Sequence, residues 1–186
     1  MHVILCPVSR YQPFYCEENV WWRVRETEGR CWALFITNPQ RRVLLWQQRL
    51  APPDAPIRWD YHVVMVGAAP RGLVVYDLDT RLPLGIAVDA YLDGTFPYGE
   101  ESGLPGPYAP GFRLVSREAM LATFATDRRH MRRDDGSYLH PPPPWPPIIA
   151  RDTEQRFTLD RYLDLEDDIA GEVSTLSDLR IRLSRL

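Results

Sequence analysis

The chain has 186 residues, 45% hydrophobic and 25% charged, with a formal net charge of −3. That balance suits one soluble domain with a sizeable core, and it offers no electrostatic reason to bind nucleic acid or an anionic membrane. No apolar run approaches the ~18 residues that span a bilayer, and all 22 basic residues are arginines scattered among acids.

In chain order, "MHVILCPV" is too short and lacks the basic opening of a secretory signal, so a cytoplasmic location is expected. "CEENVWWRVRETE" (Cys16 to Glu28) predicts a helix. Glu17 and Glu18 complement the positive end of its dipole, Val20, Trp21 and Val24 share an apolar face, and Gly29 ends it. "CWALFITN" (Cys31 to Asn38) reads as a buried strand and "RRVLLWQQRL" as the next, with Asn38-Pro39 as the turn between them. "APPDAPIR" is loop. "DYHVVMVG" and "GLVVYDLD" are β-branched runs joined by "AAPR", the strongest hairpin signal in the chain. A helix is predicted from Ala87 to Leu92, then a loop rich in glycine and proline, then the strand "FRLVS". "REAMLATFATDRRHM" predicts a helix capped by Ser116. "RRHMRR" (Arg128 to Arg133) is the one locally basic stretch, and the two aspartates that follow make it a solvated loop or helix end. "HPPPPWPP" suits polyproline II. "FTLDRYLDL" and "STLSDLRIRL" are short closing pieces, the last capped by Thr175 or Ser177. Helices with several mostly antiparallel strands imply an α+β fold, and the whole chain, 1–186, is expected to form a single catalytic domain.

Three cysteines, Cys6, Cys16 and Cys31, do not make a disulfide framework, and no C-x-x-C or H-x-x-x-H spacing suggests zinc. Cys16 stands apart because it opens a helix. There the free N–H groups and the dipole favour a thiolate, the form that acts as nucleophile. The hairpin supplies what a nucleophile needs. With the turn centred between Ala69 and Pro70, partners sum to 139, so His62 and Asp77 are cross-strand neighbours about 5 Å apart at Cβ, with Asp79 diagonal at ~7–8 Å. An aspartate beside a histidine orients the ring, makes it more basic and leaves the other nitrogen for a thiol. Cys16, His62 and Asp77 then form a nucleophile, base and orienter for acyl chemistry through a thioester. Other readings of these residues are a transglutaminase, a cysteine peptidase, or a non-catalytic interaction module built on the proline run.

"YCEENVW" (Tyr15 to Trp21), "WDYHVV" (Trp59 to Val64), "VYDLDTRLP" (Val75 to Pro83), "FATDRRHM" (Phe124 to Met131) and "PPPPWP" (Pro141 to Pro146) resemble, in order, the blocks of the protein N-terminal glutamine amidohydrolases. Arg129 stands where that family often has a small polar residue. The resemblance implies a papain/transglutaminase-like fold and deamidation of an N-terminal glutamine to glutamate with release of ammonia, without metal or organic cofactor. It carries the roles of nucleophile, base and third member onto Cys16, His62 and Asp77, and favours Asp77 over Asp79. The expected partners are proteins or peptides with a free N-terminal glutamine. A pocket that receives a protein terminus needs an open approach, so a monomer is expected. The substrate α-ammonium needs a carboxylate, and Glu18, Asp60 and Asp127 lie within or beside the matched blocks. Glu18 could equally serve the helix dipole, Asp60 cap a turn, and Asp127 pair with Arg128. Asp60 shares the strand face of His62, while Tyr61 is expected to point away.

Overall fold

The computed structural model describes residues 10–98 and 106–186; Cys6 and part of the glycine- and proline-rich loop lie outside them. The chain forms α1 (Cys16–Glu26), β1 (Cys31–Thr37), β2 (Val43–Leu45), β3 (Ile57–Trp59), β4 (His62–Ala69), β5 (Gly72–Tyr76), β6 (Ile86–Ala87) and α2 (Val88–Thr95). After these come β7 (Gly111–Ser116), α3 (Arg117–Thr123), α4 (Leu159–Leu163), β8 (Glu172–Ser174) and α5 (Leu176–Leu183). Six strands make one sheet in the order β6-β5-β4-β1-β7-β8, each antiparallel to its neighbour, and β2 pairs with β3 in a separate ribbon. The fold is α+β.

The central strands read as unbroken apolar runs because both sheet faces are covered. Ala33 and Phe35 of β1 and Val63 and Met65 of β4 pack with α1, α3 and α4. Leu34, Ile36, Val64 and Val66 pack on the opposite side with α2, α5 and β2. Among the described residues no helix is long and apolar enough to cross a membrane.

Three expectations change in ways that matter for the site. The hairpin partners sum to 141, with Ala69 opposite Gly72, because the turn is Pro70-Arg71 and Gly72 takes the positive φ of 120° that follows it. A shift of two keeps every side chain on its face, so His62 and Asp77 still meet, although the ladder stops at Met65–Tyr76. The helix expected over "REAMLATFATDRRHM" ends at Thr123. Beyond it the chain is captured from a distance: the Ala125 N–H donates to Thr158 Oγ1, and the Thr126 N–H to the Ile148 carbonyl. Arg128 then turns left-handed at φ 64°, starting a separate 3-10 turn over Arg129–Met131. The strand expected from "RRVLLWQQRL" shrinks to Val43–Leu45, since Gln47 adopts φ 58°. Ser116 caps α3 and Thr175 caps α5 through their side chains.

Candidate active site

Cys16 is the first residue of α1, and its position is set by the segment before it. The Asn19 side chain closes a pair of 2.9 Å hydrogen bonds with the main chain of Gln12, and the Tyr15 hydroxyl donates to the His140 carbonyl. Phe14, at φ 70°, stacks on the His140 ring at 3.6 Å. The result is a half-buried thiol on a cleft of about 350 Å³ shared with Trp59, Asp60, Tyr61, His62, Asp79 and His130, among others. A stabilised thiolate is not what results. Burial first, and then the charge of Glu17 with help from Asp79, pushes the thiol well above its ordinary pKa, against the Val63 main-chain contact. Burial and the Glu17 charge thus oppose the thiolate that the helix start favours.

His62 begins β4 and is 2% exposed. Its Nε2 meets Asp77 Oδ1 at 2.9 Å, which leaves Nδ1 as the nitrogen available to a thiol. Burial by itself would lower the imidazole pKa. The charge and hydrogen bond of Asp77 outweigh it, Asp79 and Glu17 add to them, and the net shift is upward. Asp77 is held low despite its burial, by His62, Gln48 and the Asp79 amide. The Trp59 ring lies nearly parallel to the imidazole, 13° apart at 6.1 Å.

Of the three carboxylates expected to meet an ammonium, only Asp60 lines the cleft. It is exposed, and its Oδ1 accepts from the Tyr61 N–H. Glu18 is turned away and buried. Its two oxygens take Arg128 Nε and Nη2 at 2.7 and 2.8 Å, and Oε2 also takes Trp145 Nε1. Asp127 pairs with the exposed Arg129, not with Arg128. Tyr61 lines the cleft instead of facing away, because β4 starts only at His62 and strand alternation does not reach back to it.

Other side chains complete and support the cleft. Gln48 Nε2 and the Tyr91 hydroxyl each donate to Asp77 Oδ2 at 2.9 Å. The Tyr61 hydroxyl donates to Glu17 Oε2 at 3.0 Å. His130 Nε2 stands 3.4 Å from Glu17 Oε1. Glu17 carried a signal in its place beside Cys16, and Tyr61 and His130 lie inside the blocks "WDYHVV" and "FATDRRHM"; Gln48 and Tyr91 come from distant segments with no motif to mark them. His62, Asp77 and Asp79 have ligand atoms within 4.8 Å of one another, but this is a poor cation cage. Asp77 already accepts four hydrogen bonds, from His62, Gln48, Tyr91 and the Asp79 amide. The arrangement is suited to activating a thiol by a buried, oriented imidazole in an acidic cleft.

Comparison with known proteins follows the same lines. Residues 11–183 match the model of a family described as N-terminal glutamine amidase. The chain is 32% identical to the protein N-terminal glutamine amidohydrolase of Homo sapiens, over 92% of this chain and 86% of that one. It is 40% identical to the Drosophila grimshawi protein of the same name, over 75% and 72%, and 33% identical to that of Danio rerio, over 90% and 86%.

Proposed function

The chain belongs to the N-terminal glutamine amidase family, and on that premise we propose that it hydrolyses the side-chain amide of a glutamine at the start of a protein or peptide, leaving glutamate and releasing ammonia. The observation that carries the mechanistic part is the buried His62–Asp77 pair opening on the same cleft as the Cys16 thiol. We read the α+β fold as the papain/transglutaminase type, in one catalytic domain over 1–186 that works as a cytoplasmic monomer.

In the first half-reaction His62 Nδ1 takes the thiol proton as Sγ attacks the side-chain carbonyl carbon. The main-chain N–H of Cys16, free at the start of α1, donates to the oxyanion. Collapse breaks the C–N bond, and the imidazolium gives its proton to the departing nitrogen, which leaves as ammonia. Water then attacks the thioester, losing a proton to His62, and the thiolate recovers that proton as glutamate departs. Asp77 fixes the ring tautomer and stabilises the imidazolium. No metal or organic cofactor enters. The acidic cleft suits a cationic terminus, with the exposed Asp60 attracting it at the entrance.

The test is ammonia release from Gln-X-X and acetyl-Gln-X-X peptides. Release from the free-terminus peptide alone, lost in Cys16→Ala, is expected. Equal turnover of the acetylated peptide contradicts the restriction to termini. Incorporation of an added alkylamine in place of hydrolysis would mark a transglutaminase.

A further inference from the structure

The Glu17 carboxylate is fully buried beneath Cys16, Tyr61 and His130, all of which line the cleft. Its two oxygens are treated differently by the fold. Oε2 accepts the Tyr61 hydroxyl at 3.0 Å and the Cys16 thiol at 3.7 Å. Oε1 is buried with no hydrogen-bond partner. The nearby His130 Nε2 stands at 3.4 Å, beyond the length of a good N–H···O bond, and His130 Nδ1 is itself buried without a partner. A buried carboxylate oxygen without a donor is costly. The oxygen is therefore open to a further donor.

We propose that Glu17 receives the α-ammonium of the terminal glutamine on Oε1, the His130 ring turning aside to admit it, and that this contact releases the Cys16 thiol to His62. The inference rests on the proposed deamidation. Distance supports it. Ordinary bond lengths put the α-nitrogen of glutamine within about 5 Å of its side-chain carbonyl carbon. An acceptor for the ammonium must then lie close to the attacking sulfur, as Glu17 does. Charge supports it too. A buried carboxylate attracts a cation more strongly than the exposed Asp60, which water screens, and Asp79 already accepts the Tyr11 hydroxyl.

At rest Cys16 donates to Glu17, whose negative charge opposes ionisation of the sulfur. An ammonium on Glu17 cancels that charge and competes for the same oxygens. The thiol proton is then free to pass to His62. A free terminus is thus read in the chemical step as well as in binding, which favours it in kcat as well as in KM.

The experiment compares Gln-X-X with the same peptide lacking the α-amino group, on wild type and on Glu17→Gln. The wild type should prefer the amino-bearing peptide by about a hundredfold in kcat/KM, and the preference should fall to within about threefold in the variant. An undiminished preference in Glu17→Gln overturns the assignment, whereas a wild type inert toward Gln-X-X overturns the deamidation reading itself. A second measurement needs no variant. Iodoacetamide, a primary amide small enough to stand in for the glutamine carboxamide, alkylates Cys16 while saturating Ala-X-X occupies the ammonium site. Alkylation several times faster with Ala-X-X than with acetyl-Ala-X-X is expected. Equal rates overturn the release of the thiol.

Discussion

Both oxygens of Asp77 are occupied, by His62, Gln48, Tyr91 and the Asp79 amide, whereas Asp79 reaches out to Tyr11 at the cleft edge. That difference favours Asp77 as the acid that orients the ring. Asp77→Asn should cut kcat/KM about a thousandfold, and Asp79→Asn less than about tenfold; the reverse order would transfer the orienting role to Asp79. The pH profile gives a second check. In the proposed mechanism His62 must be neutral to accept the thiol proton, and its pKa is raised by Asp77 against the effect of burial. Activity should therefore fall as pH drops through a value above the ordinary ~6.5 of histidine. In Asp77→Asn that acid limb should move down, since the charge that favours imidazolium is gone; an unmoved limb would mean another group sets it. At this scale much was readable. The expected strand parity puts His62 and Asp77 on one face, and a register error of two leaves that parity intact, although Asp77 lies one residue past β5. Glu17 and Glu18 were not separable, because consecutive helix residues differ by about 100° in direction. Only the packed fold sends one toward the cleft and the other toward Arg128.

The buried Glu18–Arg128 pair ties three elements into the cleft wall. Glu18 belongs to α1, Arg128 to the turn that carries His130, and the Arg128 guanidinium also donates to the carbonyls of Pro143 and Trp145 in the proline run. Arg128→Met leaves Glu18 as an uncompensated buried charge, and unfolding in urea should show a loss of about 3–5 kcal/mol. Adding Glu18→Gln should recover part of that loss, because the stranded charge is its main source; a double variant less stable than the single would contradict this. The sequence does not reveal this turn. Locally "FATDRRHM" continues a helix well, and what stops it comes from Ile148 and Thr158, far along the chain. The two- and three-residue strands β3, β6 and β8 are equally invisible, being too short to show a period. The long central strands and α1 carry their own pattern and were legible.

Across the whole molecule, one sheet is shared by two apolar clusters, so neither face can lose its cover alone. Unfolding should be a single transition, with tryptophan fluorescence and far-UV circular dichroism coinciding, and separated transitions would argue against one domain. The sheet and α1 together bring the thiol and the imidazole to one opening, with the Asp77 carboxylate buried behind the ring, although 61 positions separate Cys16 from Asp77. The most direct measurement is the intact mass of the protein acid-quenched during turnover of a Gln-X-X peptide. An adduct on Cys16 equal to the peptide less one ammonia is expected, absent from Cys16→Ala. Undiminished turnover by Cys16→Ala, with no such adduct on the wild type, would contradict it.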